Sequence, residues 1–148
     1  MTRSELTEKI AGLKRKKGIS WRDIAAEIGS GSPVYITAAL LGQMKLAKGE
    51  AEKAGRVLGL NEEEVLLLQE IPYRGSLPTT VPTDPLIYRF YELIQVYGTT
   101  LKSLIQDEFG DGIMSAIDFD LVLERQPDLK GDRVRITLSG KFLPYKQY

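Results

Sequence analysis

The sequence of 148 residues contains neither cysteine nor histidine. Without cysteine the chain can form no disulfide, no thiolate nucleophile and no thiolate metal site. Without histidine it also lacks the commonest general base near neutral pH and the commonest ligand of transition metals. We therefore expect any chemistry to depend on Arg, Lys, Asp, Glu, Ser, Thr or Tyr. The absence of these two residue types does not exclude a site in which carboxylates bind Mg²⁺.

The chain also has no net charge and no long apolar segment. Lys and Arg total 20, and Asp and Glu total 20. A neutral sum argues against a dedicated nucleic-acid binder. No run of 18 apolar residues is present, and the N-terminus lacks the apolar core of a signal peptide. We therefore expect a cytoplasmic protein with no membrane partner.

The first half of the chain has the pattern of a helical module. Ser4 and Ser20 are placed to cap two helices, and Pro33 suits the first turn of a third. Two further helices are expected over 48–58 and 62–69, because apolar residues recur there at helical spacing.

A linker is expected to follow this module. Four of the seven prolines lie between residues 71 and 85, which predicts extended chain with little regular structure. We accordingly predict two domains, at residues 1–75 and 76–148.

The spacing in SWRDIAAEIGSGSPVYITAALLGQMKLAKGEAEKAGRVLGL resembles the helical DNA-binding domain of phage-repressor type. A recognition helix needs Arg, Lys, Asn or Gln that reach the major groove. The corresponding segment here, PVYITAALL, has no charge and offers mainly Thr37 as a polar side chain. We favour an oligomerisation module that does not read DNA, and we keep a DNA-binding transcriptional regulator with a ligand-sensing C-terminal domain as the alternative.

The second half begins with a strongly apolar helix. Thr83 or Asp84 can cap it, Pro85 suits its first turn, and Gly98 is predicted to end it before a second helix. Because this helix is apolar on most sides, we expect protein to cover most of it.

From Ile117 the apolar period changes to two, and a second alternating segment begins near Val134. This pattern predicts two strands in a hairpin, with a turn over 126–132. A hairpin of two strands is marginal alone and needs cover from a helix or from another copy of the chain. The predicted fold class is therefore α+β.

Two charged residues stand out in the apolar helix. Arg89 and Glu92 are three residues apart and therefore share one helix face. The simpler interpretation is a surface ion pair, worth about 0–1 kcal/mol. The alternative is a site for small anions, because a guanidinium presents a planar fork of donors to oxyanions.

Ser115 lies in GIMSAI, just ahead of the predicted first strand. It can be a small core or turn residue, or it can supply a hydroxyl donor to an anion.

The segment PTDPLIYRFYELIQVYGTTLKSLIQDEFGDGIMSAIDF, with the ending LSGKFLPYKQY, resembles the cyanases, also called cyanate hydratases or cyanate lyases. The resemblance extends over essentially the whole chain. It implies a repressor-like helical N-terminal domain and a C-terminal helix-plus-hairpin domain. It also implies that the catalytic residues are Arg89, Glu92 and Ser115.

The resemblance further implies bicarbonate-dependent decomposition of cyanate to ammonia and carbon dioxide via carbamate. It implies no metal and no organic cofactor, with bicarbonate as co-substrate. Because both reactants are anions and one chain offers a single arginine of this kind, we expect a site at a subunit interface. We expect the hairpins of two chains to intertwine, and the resemblance implies a homodecamer of five dimers. A non-catalytic oligomeric scaffold is the remaining rival.

Overall fold

The computed structural model describes residues 1–29 and 31–148. Within these residues the chain forms six helices and one antiparallel sheet of two strands. The elements are α1 (Arg3–Lys17), α2 (Trp21–Ile28), α3 (Pro33–Leu40), α4 (Lys48–Leu58), α5 (Glu62–Leu67), α6 (Pro85–Phe109), β1 (Gly112–Gln126) and β2 (Arg133–Pro144).

Contacts divide the chain into two compact units. Unit 1 comprises Met1–Ser76 with Leu121–Thr137, and unit 2 comprises Leu77–Asp120 with Leu138–Tyr148. The outer part of the hairpin thus belongs with the helical module. The predicted domain boundary between residues 75 and 76 stays a prediction. The two units are defined by contacts within one chain, and such contacts do not test whether each part folds independently.

Helices α1 to α5 enclose the core of unit 1. Its fully buried members are aliphatic side chains that recur along these helices at helical spacing. They include Leu6, Ile10, Ile24, Ile28, Ile36, Leu40 and Leu58, and two leucines just outside the helices, Leu46 and Leu68, are buried with them.

The predicted caps of this module are partly confirmed. Ser20 Oγ accepts from Asp23 N at 3.0 Å at the start of α2, and Pro33 is the first residue of α3. The prediction that Ser4 caps α1 is wrong. Thr2 caps the helix instead: its hydroxyl accepts from Glu5 N, and Glu5 Oε2 accepts from Thr2 N. A cap at Ser4 would start the helix two residues later and lose both hydrogen bonds.

The outer hairpin is held to the helical module by two side chains. Arg22 Nη2 donates to the carbonyl of Leu123 at 3.0 Å, and Ser32 Oγ donates to the carbonyl of Leu121 at 3.0 Å. Carbonyls two residues apart on a strand point the same way, so both bonds occupy one edge of β1. They satisfy backbone acceptors that an isolated hairpin would leave to solvent.

Helix α6 is one continuous helix of 25 residues, so the predicted break at Gly98 is wrong. A glycine within a helix keeps its N–H and costs only about 1 kcal/mol relative to alanine. Asp84 caps the helix, because its Oδ1 accepts from Leu86 N at 2.9 Å and from Ile87 N at 3.0 Å.

The apolar side chains of α6 are exposed in the single chain. Among the described residues no position of this helix is buried. Side chains more than a third exposed include Leu86, Ile87, Tyr88, Phe90, Leu93, Ile94, Val96, Tyr97, Leu101, Leu104 and Phe109. An apolar surface of this extent is rare on a soluble monomer and is typical of an interaction surface.

None of the helices formed by residues 1–29 and 31–148 has the length and hydropathy needed to cross a membrane. The cytoplasmic location stays a prediction.

Candidate active site

Helix α6 places the two charged residues of the predicted site side by side. Arg89 Nη1 donates to Glu92 Oε2 at 3.3 Å, and the side chains are 68% and 51% exposed. A single hydrogen bond of this length is weak. The guanidinium has five N–H donors. Its remaining donors have no partner in the part of the chain that the structure describes, so they can receive an anion.

The structure places Ser115 inside β1 and not ahead of it, which corrects the predicted start of the strand. The pattern from Gly112 to Ala116 does not alternate, so sequence periodicity did not reveal the pairing of this segment with β2. Ser115 is also buried, with 4% of its surface exposed.

Ser115 Oγ is held by the backbone that follows it. It accepts from Ile117 N at 3.0 Å and from Asp118 N at 2.9 Å. Successive N–H groups of an extended strand point to opposite sides, so their convergence on one oxygen marks a local bend in β1.

These two bonds define what the hydroxyl can do. A serine hydroxyl has two acceptor positions and one O–H donor. Both acceptor positions are taken by amides, so Ser115 is left as a donor. Held this way, it suits the stabilisation of negative charge better than service as a nucleophile or a base.

The three predicted residues all belong to unit 2, but one chain brings only two of them into contact. Arg89 and Glu92 pair with each other, whereas the Ser115 hydroxyl bonds only to amides of its own strand among the described hydrogen bonds. The sequence did not reveal the amides of Ile117 and Asp118 as partners of Ser115, since backbone groups carry no signal in residue type.

A cavity of about 420 Å³ lies elsewhere, in unit 1, where Arg3, Thr7 and Gln43 contribute to its lining. It contains none of the three predicted residues. In the same unit, burial lowers the pKa of Arg3, and a nearby Glu70 opposes this effect.

The described residues contain no cluster of three or more carboxylates that could hold a metal ion. The expectation of a reaction without metal or organic cofactor stays a prediction.

Two family models match the chain in succession. The cyanate hydratase N-terminal model matches residues 3–72, and the cyanate lyase C-terminal domain model matches residues 79–147. Cyanate hydratases from Ralstonia pickettii and Dechloromonas aromatica are each 62% identical to the chain over 148 residues, and that of Methylibium petroleiphilum is 61% identical. These alignments cover 100% of both proteins in every case.

The chain belongs to the cyanate hydratase family. A crystal structure of cyanase from T. urticae agrees in fold, with a TM-score of 0.81 and 37% identity, over 94% of this chain and 96% of that one. The predicted family, the α+β fold and the assignment as an enzyme of the cyanate hydratase class are therefore confirmed. Arg89, Glu92 and Ser115 stay the predicted catalytic residues, and the intertwining of two hairpins stays a prediction.

Proposed function

We propose that this cyanate hydratase family member decomposes cyanate, with bicarbonate as the second substrate and carbamate as the intermediate. The observation that carries the proposal is the Arg89–Glu92 pair. It lies in the apolar first half of α6, and one hydrogen bond at 3.3 Å leaves most of the guanidinium donors unused. The match of the family models to both halves of the chain supports the choice of substrate.

The reaction needs no nucleophilic side chain. A bicarbonate oxygen attacks the cyanate carbon, and a C–O bond forms while the C–N multiple bond takes up a proton. The adduct then loses the former bicarbonate carbon as carbon dioxide, and a second proton on nitrogen gives carbamate. Cyanate, bicarbonate and one added proton thus give carbamate and carbon dioxide, because the bicarbonate proton supplies the other N–H. Carbamate takes up one more proton and breaks down to ammonia and a second carbon dioxide.

Electrostatics sets the requirement on the protein. Two monoanions held about 4 Å apart repel by roughly 4 kcal/mol at an effective dielectric of 20. Arg89 offsets this repulsion with a planar fork of donors, and Ser115 adds a neutral donor. Holding both reactants in attack geometry can lower the barrier by about 7–11 kcal/mol. Glu92 either fixes Arg89 or moves a proton, and we leave both roles open.

One chain supplies one such arginine, so we propose that a second copy completes the site. The uncovered apolar face of α6 supports this, because an assembly would bury it. A hairpin of two strands that is marginal alone also favours pairing with another chain. We propose a homodecamer built from five dimers with intertwined hairpins, located in the cytoplasm and without metal or organic cofactor.

The test is ammonia release from cyanate with and without added bicarbonate, in buffers freed of carbon dioxide. We expect release that rises with bicarbonate and stops without it, at a rate that a chelator leaves unchanged. No release under any condition would leave the oligomeric scaffold as the better account. Inhibition by the chelator that added metal reverses would contradict the proposed absence of a metal.

The DNA-binding regulator makes a different prediction. It requires specific duplex binding that weakens steeply between two salt concentrations. Helix α3 presents Tyr35 and Pro33 as exposed residues and carries no charged side chain. We therefore expect no specific duplex binding in that assay.

A further inference from the structure

Gly140 on β2 lies directly against the backbone of Ser115 on β1. A Cβ atom built at Gly140 would lie well inside 3.0 Å of the carbonyl oxygen of Ser115, and 2.6 Å from Met114 Cγ. Real Cβ atoms essentially never approach other atoms this closely. A side chain at residue 140 therefore requires the two strands to separate.

A second glycine, Gly112 on β1, makes a similar close approach to β2 in the same strand register. A Cβ at Gly112 would crowd the carbonyl of Leu143 and would lie 2.5 Å from the ring of Phe142. Three residues forward on β1, from Gly112 to Ser115, correspond to three residues back on β2, from Leu143 to Gly140. The two close approaches thus belong to one antiparallel pairing of β1 with β2. Glycine within a strand is often found where another backbone approaches closely.

The atom nearest to Gly140 belongs to the main chain of Ser115. A flexible side chain can turn away from an added methyl, but a carbonyl moves only with its strand. The hydroxyl of Ser115 is tied to the amides of Ile117 and Asp118 in the same segment. A displacement of the segment therefore shifts the hydroxyl and weakens its hydrogen bonds to these two amides.

We propose that Gly140 is a positioning residue for Ser115. Because Gly140 has no side chain, the two strands lie close together, and this closeness fixes the direction in which the Ser115 hydroxyl donates to an anionic substrate. The inference rests on the proposed function, in which Ser115 binds one of two anions. Gly140 itself does not touch the substrate in this account.

Comparison of Gly140→Ala with Gly112→Ala tests the proposal. Both variants force a methyl into the same strand pair, but only residue 140 lies opposite Ser115. We expect Gly140→Ala to weaken inhibition by azide or oxalate and to lower kcat/KM by roughly 100-fold, the scale of a misplacement of 1 Å. Gly112→Ala should keep anion affinity within a few-fold while losing a similar amount of thermal stability. Equal losses of affinity in the two variants would overturn the proposal.

A double-variant cycle tests whether Gly140 acts through Ser115. In a Ser115→Ala background, adding Gly140→Ala should cost almost no further anion affinity, because the hydroxyl is already gone. Losses that multiply in the double variant would show an independent role and would contradict the proposal.

If Gly140→Ala alone does not fold, the double variant Gly140→Ala with Met114→Ala tests the proposal instead. The double variant removes the contact with Met114 but keeps the contact with the carbonyl of Ser115. We expect only part of the stability to recover, because the contact with the Ser115 carbonyl remains, and we expect anion affinity to stay low. Recovery of both would mean that Gly140 only makes room for Met114.

Hydrogen exchange gives a readout independent of turnover. Gly140→Ala should speed amide exchange at Ile117 and Asp118, and unchanged exchange there would contradict the proposal. A native protein that does not turn over cyanate would refute the proposed function. An active native protein with an unaffected Gly140→Ala variant would refute only this inference.

Discussion

Arg89 Nη1 donates to Glu92 Oε2 across 3.3 Å, one helical turn apart on α6, and both side chains are more than half exposed. An exposed pair of this kind adds little to stability, about 0–1 kcal/mol. Its position among exposed apolar side chains in the first half of α6 is therefore better explained by a role in binding than by a role in folding.

Replacement of Arg89 by lysine should remove most of the activity. An ammonium keeps the charge but cannot present two parallel donors to an oxyanion. We expect kcat/KM for cyanate to fall by roughly 100-fold, or about 2.7 kcal/mol, while the native mass of the assembly stays the same.

Arg125→Lys is the matched control for that variant. Arg125 Nη1 pairs with Asp132 Oδ2 at 2.9 Å near the tip of the hairpin, and it is 80% exposed. Its replacement should leave kcat/KM within about twofold. Full activity of Arg89→Lys would contradict the role given to Arg89.

Removal of the Ser115 hydroxyl should weaken anion binding without unfolding the protein. Ser115→Ala leaves the amides of Ile117 and Asp118 without an acceptor, at a cost in stability of roughly 1–3 kcal/mol. We expect the inhibition constants of azide and oxalate to rise by about 10-fold to 100-fold. Unchanged inhibition constants in a stable Ser115→Ala protein would show that the hydroxyl does not donate to the anion.

A charge on the apolar face of α6 should prevent assembly and abolish activity together. Ile94 is 57% exposed in the single chain, and Ile94→Asp would bury a carboxylate if another copy covers this face. Val81→Asp in the proline-rich segment ahead of α6 is the control, since Val81 is similarly exposed at 48%. Native mass spectrometry should show smaller species for Ile94→Asp only. A fully assembled Ile94→Asp protein would contradict the proposed coverage of α6.

Stability should depend on pH through Glu64, whose side chain is 1% exposed. Lys9 Nζ donates to it at 2.5 Å, and this bond together with the Asn61 amide lowers its pKa below the ordinary 4.5, while burial opposes the shift. Because the folded-state pKa lies below the unfolded value, the carboxylate stabilises the fold above pH 4.5 and loses that contribution as the pH falls through the folded-state pKa.

Urea unfolding as a function of pH measures this contribution. The native protein should lose more stability below pH 4.5 than Glu64→Gln does. Lys9→Met should move the loss to higher pH, because the group that lowers the pKa is gone. Parallel stability curves for the native protein and Glu64→Gln would contradict the role of Glu64.

Local signals in the sequence explain most of the helical module. Ser20, Pro33 and the glycine at 59 are cap and stop signals that act within a few residues, so the predicted helix over 48–58 coincides with α4. At Gly98 the same reasoning failed, because a glycine ends a helix only when the following residues leave the helical conformation.

The site was predictable only in part. The spacing of Arg89 and Glu92 predicted their contact, since residues three apart share a helix face. The sequence placed Ser115 ahead of the first strand, which is wrong. Its position depends on the pairing of β1 with β2, and its hydrogen bonds depend on amides of its own strand. Its predicted role, like that of the other two residues, came from the resemblance to the cyanases and not from its neighbours.

The central claim is that the two anions react with each other, and isotope labelling tests it most directly. The reaction would be run with ¹³C-cyanate and ¹⁸O-bicarbonate and quenched before bicarbonate exchanges oxygen with water. Attack by bicarbonate predicts that ¹³C-carbon dioxide carries one ¹⁸O atom, because the cyanate carbon gains a bicarbonate oxygen. ¹³C-carbon dioxide without ¹⁸O would mean that water attacks cyanate, and it would contradict the account.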